Sequence, residues 1–300
     1  AERLPVPTFP ALNTTSMADY LSLDYSKKAD AGSKAFVEAE SKLTEGAFES
    51  AVTLGKQAVD AFAKDADAKA DALRVVMAAM IGQGKAKEAG DMAKKELESF
   101  RSSGNKKGEG KMLMSLAESS KRGSEEGIQS ASEACAIFAG TGDKKFEMIA
   151  LITLAGVQKK ESEASATANK AKEMALEAGD RRLEAKALHA LAAVQELGGK
   201  MEDCLRTADE ALDIYLEMKD KAAEALELLS ISQWHLKAKD VKQALEYAED
   251  ALEIYQLLKS PLEIKAMSAM FDAQLERGNM AKAAQVANQG VKRYQETGEK

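Results

Sequence analysis

His189, His235 and Cys204 are the residues of this sequence that best suit a transition metal, because imidazole and thiolate are the ligands that zinc prefers. Their spacing does not fit a metal site. No two of them stand at the short interval of a His-x-x-x-His or Cys-x-x-Cys pair, which places two ligands on one element. We therefore expect no metal centre, and we interpret these side chains, with Trp234 beside His235, as packing residues.

Two short segments, 82–85 and 108–111, have the Gly-x-Gly-Lys composition of a phosphate-binding loop. That loop needs a glycine five residues before its Gly-Lys pair and a Ser or Thr after it. The first segment has Ala79 and Ala86 at these places, and the second fails in the same way. No nucleophile motif of the Gly-x-Ser-x-Gly type occurs, and the many carboxylates lie at helix-surface spacing beside lysines. The sequence predicts a non-enzymatic protein without a cofactor.

The composition limits the classes of partner and compartment. The chain has 300 residues, 42 Lys and Arg against 49 Asp and Glu, and a net charge of −7, which argues against a nucleic-acid partner. Its longest apolar run, 75–81, is too short to span a membrane, and two cysteines make no disulfide framework. We expect a cytoplasmic protein whose small first residue, Ala1, follows a trimmed initiator methionine. A targeting peptide that has already been removed is the alternative.

Residues 1–26 form a proline-containing segment that we expect to be extended. Pro5, Pro7 and Pro10 each fix φ and disfavour helix at the preceding residue. Apolar residues alternate with these prolines, so the segment could lie on a partner or on the protein's own surface. A partly ordered tail is the simpler interpretation.

The rest of the chain is rich in helix-forming residues and carries a repeat. Polar breaks end at positions 67, 105, 143, 180, 220 and 260, which lie 37 to 40 residues apart. A fixed period of this size is typical of an array of supersecondary units. We divide residues 27–300 into seven repeats, which span 27–67, 68–105, 106–143, 144–180, 181–220, 221–260 and 261–300.

A softer break within each repeat divides it into two helices, so each repeat is predicted to be a helical hairpin. The second helices carry small residues in register at three positions with the spacing i, i+4 and i+7, which lie on one helix face. The first of these columns consists of Ala51, Ala89, Gly127, Ala164, Cys204, Ala244 and Ala284. Small side chains at these places let neighbouring helices approach closely.

These features resemble the tetratricopeptide repeat family. The likeness is strongest where Ala-x-x-Ala-Leu-x-Ile-Tyr occurs twice, at 208–215 and 248–255. The basic family repeat has 34 residues; the longer period here is similar to that of kinesin light chain, and the family's usual proline after the second helix is absent. The resemblance implies an all-α, right-handed superhelical solenoid of about seven antiparallel helix pairs. HEAT-like helix pairs are the structural alternative.

Stacked hairpins of this family form a concave groove lined by first helices, and the resemblance implies that this groove is the binding site. The Lys, Arg and Asn clamp of chaperone-binding members is missing, since Phe36, Glu40, Arg74 and Ala78 hold its positions. The mostly apolar floor of the groove suits an amphipathic helix or an extended peptide. The expected groove residues are Arg74, Met112, Leu116, Ile149, Thr153, His189, Ala193, Leu229, Gln233 and Leu236. The alternative is that these groove residues belong to the core between repeats.

Basic pairs recur at the repeat spacing and are expected to line one edge. They could meet an acidic partner, or they could complement the dipole at the end of the preceding helix. The pairs are Lys106 with Lys107, Lys144 with Lys145, and Arg181 with Arg182.

The sequence therefore predicts a scaffold or adaptor that binds a peptide or helix of a partner protein, as a monomer or as a subunit of a hetero-complex. The alternative is a structural subunit that is permanently built into a larger complex and docked partly through residues 1–26. A third possibility is an accessory or ligand-sensing repeat module, which requires a catalytic or DNA-binding domain that these 300 residues do not contain.

Overall fold

A computed structural model describes residues 25–297, with side chains to residue 295. This part of the chain is all-α and has no strand, as the sequence predicted. Residues 1–24 of the predicted N-terminal segment lie outside the described residues. The fourteen helices of the described part are α1 (Ala31–Glu45), α2 (Phe48–Ala61), α3 (Ala66–Gly82), α4 (Ala86–Ser103), α5 (Lys106–Ser119), α6 (Glu125–Thr141), α7 (Lys144–Val157), α8 (Glu161–Ala178), α9 (Arg181–Leu197), α10 (Met201–Met218), α11 (Lys221–Lys237), α12 (Val241–Leu257), α13 (Glu263–Glu276) and α14 (Met280–Thr297).

Three of the predicted breaks hold the cap of a first helix. Asn105, Asp180 and Asp220 precede α5, α9 and α11, and each side chain accepts a hydrogen bond from the backbone N–H three residues on. Such a cap satisfies one of the free donors at the start of a helix. The break expected at Asp67 is displaced, because Asp65 caps α3 and Asp67 lies in its first turn.

Most second helices are followed by a residue whose backbone has the left-handed conformation. Gly104, Gly142 and Gly179 have φ near 70°, which glycine adopts without a steric penalty. In the later hairpins lysines hold this conformation, with φ of 58° at Lys219 and 53° at Lys259. The turn after the second helix therefore has the same backbone conformation in the later hairpins, although lysine replaces glycine there.

The chain divides into two compact units, which comprise residues 25–43 with 48–157 and residues 44–47 with 158–297. The small residues of the columns are buried in the second helices α2, α4, α6, α8, α10 and α12. Ala51, Ala89 and Ala131 are inaccessible in the first unit, and Ala164 and Cys204 in the second. The predicted close approach of helices is therefore present within each unit.

The small-residue column fails in the last helix, α14. Ala284 and Asn288 are exposed there, while the neighbouring Ala283 is buried. Val291, which was expected on the packed face, is 58% exposed. Ala283 follows the capping residue Asn279 by four positions, as Ala244 follows Asp240, so the column of α14 is displaced by one residue from its expected place.

Within residues 25–297, no helix is long and apolar enough to cross a membrane.

Candidate functional site

The first helices of the first unit are joined by buried charged side chains. Arg74 on α3 donates from Nη2 to Oε1 of Glu118 on α5, at 3.0 Å, and both side chains are almost fully buried. Thr153 on α7 donates to the same carboxylate oxygen at 3.2 Å. The structure thus brings together Arg74 and Thr153, two of the predicted groove residues, through a third residue that the sequence analysis did not single out.

A second buried ion pair lies beside the first. The Lys111 ammonium is 2.5 Å from Oδ1 of Asp71, and the hydroxyl of Tyr25 donates to Oδ2 of Asp71 at 2.9 Å. The same ammonium lies 4.6 Å from the centre of the Phe146 ring. Burial raises the pKa of Asp71 above its usual range, and Lys111, Tyr25 and Arg74 offset part of this effect.

These contacts place the predicted groove residues of the first unit inside the protein. Arg74, Met112, Leu116, Ile149 and Thr153 are all buried. Their burial favours the second interpretation offered by the sequence, in which they form the core between repeats.

Leu116 also lies at a surface cleft that α4, α5 and α6 line. The cleft has a volume of about 560 Å³. It is lined by Leu97, Arg101, Leu113, Leu116, Glu125, Glu126, Gln129, Ser130 and Glu133. An apolar floor with a polar rim is the usual composition of a binding cleft.

In the second unit, His189 on the first helix α9 contacts two residues of the next first helix, α11. Its Nδ1 lies 2.7 Å from Oε2 of Glu227, and because a carboxylate accepts, Nδ1 carries the hydrogen. The imidazole also lies against the Trp234 ring, with centroids 5.5 Å apart. His189 and Leu229 are buried by these neighbours.

Three predicted groove residues of the second unit remain accessible. Gln233 on α11 is exposed, and Ala193 on α9 and Leu236 on α11 are partly exposed. Leu236 also packs against the cluster that includes Leu245. Of the predicted groove residues of the second unit, these three are the ones that solvent reaches.

The cations of the predicted basic edge form ion pairs with carboxylates. The first cation of each pair bonds within its own helix, as in Lys106 with Glu109 at 2.7 Å. The second cation reaches the cap of the next first helix, as in Arg182 with Asp220 at 2.6 Å. The same pattern joins Lys144 to Glu147, Arg181 to Glu184 and Lys107 to Asp143, while Lys145 occupies the corresponding position between them. The edge thus links consecutive hairpins.

The three residues considered as metal ligands have separate surroundings. Cys204 is buried, and this burial raises the pKa of its thiol to about 12, so that the sulfur stays protonated at neutral pH. Burial lowers the pKa of His235, whose ring stacks on Tyr247 at 5.3 Å. Across the described side chains, no group of three His, Cys, Asp or Glu residues could hold a metal ion.

The sequence analysis missed Asp71, Lys111, Glu118 and Glu227. Each is a charged residue in a first helix whose partner lies about one repeat away in the sequence; Arg74 and Glu118 are 44 residues apart, and His189 and Glu227 are 38 apart. Lys111 and Asp71 are opposite charges 40 residues apart, one repeat period, and this signal is present in the sequence, whereas the interval between Arg74 and Glu118 is longer than any of the repeats.

Comparison with solved structures finds helical repeat proteins. A Rap protein in complex with competence and sporulation factor matches with a TM-score of 0.58 and 13% identity, over 96% of this chain and 88% of that protein. The apo form of RapI matches with a TM-score of 0.57 and 16% identity, over 79% of this chain and 88% of that one.

A third match is a STAND-class signal transduction ATPase with a tetratricopeptide repeat sensor, from Pyrococcus horikoshii. Its TM-score is 0.51 at 16% identity, and the match covers 91% of this chain and 43% of the ATPase. This chain therefore spans less than half of that protein.

The chain has the fold of a tetratricopeptide-like helical repeat protein, which confirms the resemblance found in the sequence. The likeness to the longer repeat form stays a prediction. No protein-family model and no curated protein matches the sequence.

Proposed function

We propose that this chain is a non-catalytic scaffold or adaptor that binds a peptide or a helix of a partner protein. The observation that supports this most is the accessible part of the first-helix face in the second unit, at Ala193, Gln233 and Leu236. An apolar surface with one amide suits a partner segment that contributes aliphatic side chains and a few backbone hydrogen bonds.

The chemistry of the buried groups is consistent with a binding function. Arg74 and Glu118, two buried ionisable side chains of the first helices, are paired with each other across helices. A general acid or base must reach a substrate proton, and a pair shielded from solvent on both sides does not. The net charge of −7 further favours a protein partner over nucleic acid. We place this function in the cytoplasm.

A structural subunit of a larger complex is the second candidate. It is favoured by large apolar side chains that stand in solvent in the last two hairpins. Leu257 is 73% exposed, Met280 is 65% exposed and Val291 is 58% exposed. Large apolar side chains are enriched in the buried centre of protein interfaces, so a docked subunit would cover these three. In this candidate, residues 1–26 contribute to docking.

The experiment that tests the scaffold proposal compares two double variants of the tagged chain. Ala193→Glu with Gln233→Glu places two charges on the accessible first-helix face of the second unit. Ala178→Glu with Gln256→Glu makes the same substitutions at exposed positions of the second helices α8 and α12. Circular dichroism checks that both fold.

We expect the first double variant to lose the partner proteins that the wild-type chain retains, and the second to keep them. Equal retention by both would contradict a binding site on the first helices. If partners stay bound to both variants at high salt and in fixed stoichiometry, the structural-subunit function is the better account.

A further inference from the structure

One side of the last helix, α14, carries an apolar stripe, which consists of Met280, Ala284, Ala287, Val291 and Tyr294. Its members are alternately four and three residues apart, which is the spacing that helices use to pack along each other. The stripe extends over about 21 Å of the helix axis. Met280, Val291 and Tyr294 are 65%, 58% and 47% exposed, so solvent reaches both ends of the stripe.

The same stripe occurs in the two preceding second helices. Met280 of α14 directly follows the capping residue Asn279, as Val241 of α12 follows Asp240, so the positions of the two helices correspond. The corresponding residues of α12 are Val241, Leu245, Ala248, Leu252 and Tyr255. Those of α10 are Met201, Leu205, Ala208, Leu212 and Tyr215. All fifteen residues are apolar or aromatic, and each stripe ends in a tyrosine.

In α10 and α12 this stripe packs against the next first helix. Tyr215 and Tyr255 are 5% and 1% exposed. Tyr215 of α10 belongs to a hydrophobic cluster against which Ala223 of α11 packs. Leu245 of α12 lies in one cluster with Ala273 of α13. In the second unit, the stripe of a second helix is thus a surface on which the following first helix lies.

The α14 stripe differs from the scattered apolar side chains that are normal on protein surfaces. The last repeat of a solenoid usually presents a polar outer face, because it has no further repeat to pack against. The stripe of α14 instead has the residue types of the covered stripes of α10 and α12. It therefore continues an interface that the second unit uses twice.

The charge of α14 favours a partner protein over a second copy of this chain. Between Met280 and Gln295 the helix has three cations, Lys282, Lys292 and Arg293, and no carboxylate. Arg293 is paired with Glu263 of α13. Two copies that packed through α14 would bring their lysines to the same interface, and like charges at an interface are unfavourable. A helix of a different protein with acidic residues beside its apolar side avoids this repulsion.

The second position of the stripe gives the site a size preference. On α12 this position is Leu245, which packs with Ala273 of α13. On α14 it is Ala284, which is smaller. Because close-packed interfaces conserve volume, a helix on α14 needs a larger side chain than alanine at this contact.

We propose that the α14 stripe is a docking site for an amphipathic helix of a partner protein, which lies on α14 as α13 lies on α12 and places a large aliphatic side chain against Ala284. This site goes beyond the proposed scaffold function, because it lies on a second helix and not on the first-helix face. It gives Met280 and Val291, which favour the structural-subunit candidate, a defined occupant.

The test offers the full chain a fluorescein-labelled peptide that copies α13, residues 261–277, and measures fluorescence anisotropy. A hydrocarbon staple joins positions 264 and 268, on the side away from Met270 and Ala273, and keeps the peptide helical. A second peptide carries Ala273→Leu. We expect both to bind saturably, the Ala273→Leu peptide about five-fold more tightly. The chain variant Ala284→Leu, at an exposed position, should reverse this preference.

A further pair of chain variants locates the binding. Val291→Glu places a charge in the stripe at an exposed position and should weaken binding by about ten-fold or more. Leu257→Glu makes the same kind of change at a 73% exposed position of α12 outside the stripe, so it should leave the affinity unchanged. Circular dichroism checks that all variants fold.

Absence of saturable binding to the wild-type chain overturns the proposal, and so does equal binding by Val291→Glu and wild type. Sedimentation equilibrium examines the other occupant, since a wild-type dimer that Val291→Glu dissociates would assign the stripe to a second copy and overturn the choice of a partner helix. None of these results touches the scaffold function, because the variants of Ala193 and Gln233 test it separately.

Discussion

The Arg74 guanidinium and the Glu118 carboxylate form an ion pair of 3.0 Å between α3 and α5, and both side chains are almost completely shielded from solvent. Thr153 adds a hydrogen bond from α7 to the same carboxylate. One carboxylate therefore holds three consecutive first helices of the first unit. A buried ion pair adds little to the free energy of folding, because removing both charges from water is costly. We expect its main effect to be on the alignment of the three helices relative to each other.

Removing one member of this pair is expected to be costly. Glu118→Leu leaves the Arg74 charge in the interior without this partner, so the free energy of unfolding should fall by about 3–5 kcal/mol. Arg74→Met together with Glu118→Leu should recover most of this loss, because no buried charge remains at the site. Urea denaturation of the two single variants and the double variant measures the coupling. Additive losses would show that the two residues do not interact.

Ile149 tests whether the buried residues of the predicted groove are core. It is 2% exposed, so Ile149→Glu should lower the free energy of unfolding by about 3 kcal/mol or more and reduce the helical circular dichroism signal. Gln233→Glu, at an exposed position on α11, should leave both unchanged. An Ile149→Glu protein of wild-type stability that fails to bind a partner would show instead that Ile149 faces an open groove.

Lys219 holds a left-handed backbone conformation, with φ of 58°, at the end of α10. A side chain with a Cβ atom is strained there, whereas glycine is not. Lys219→Gly is therefore expected to raise the free energy of unfolding by about 0.5–1 kcal/mol. The reverse change at the equivalent position, Gly179→Lys at φ of 68°, should lower it by a similar amount. Thermal denaturation of both variants checks the prediction, which a stabilising Gly179→Lys would refute.

The architecture was accessible from the sequence because it depends on local signals. Asn105, Asp180 and Asp220 are helix-capping residues at a constant spacing, and they cap the helices in the structure. Small residues such as Ala89 and Ala164 mark the packed face of each second helix. Neither kind of signal requires knowledge of a distant part of the chain.

The accessibility of the groove was not predictable in the same way. Arg74 and Thr153 were expected in the groove from their places in the repeat, but Glu118 on α5 bonds both and all three side chains are buried. Leu116 was expected in the groove and is instead almost fully buried beside the cleft lined by α4, α5 and α6. Such outcomes depend on the rotation of each helix about its axis, and a periodicity of small residues fixes that rotation only to within about one residue.

The partial burial of Lys265 predicts a pH-dependent stability of the protein. Burial lowers the pKa of its ammonium group to about 8, well below the value for an exposed lysine. Below pH 8 the group is charged in both the folded and the unfolded protein, and the folded state carries the full desolvation cost. As the pH rises from 8 towards 10.5, the folded protein loses this proton first, so its stability increases.

Lys265→Met should therefore stabilise the protein at pH 7 by about 2 kcal/mol, and this advantage should shrink towards zero by about pH 10.5. Urea denaturation over this pH range gives both values. Lys282→Met, at an exposed position of α14, is the control and should produce no pH-dependent difference. An advantage of Lys265→Met that is constant with pH would show that the lysine is not desolvated.

The most direct measurement of the scaffold function is affinity purification of the tagged wild-type chain and of the Ala193→Glu, Gln233→Glu double variant from native lysate, at low and at high salt. Mass spectrometry identifies and quantifies the retained proteins. We expect a small set of protein partners to bind the wild-type chain, to decrease at high salt and to be absent from the double variant. Retention of no protein above background, or of the same proteins in the same amounts by both forms, would contradict a partner-binding surface on the first helices.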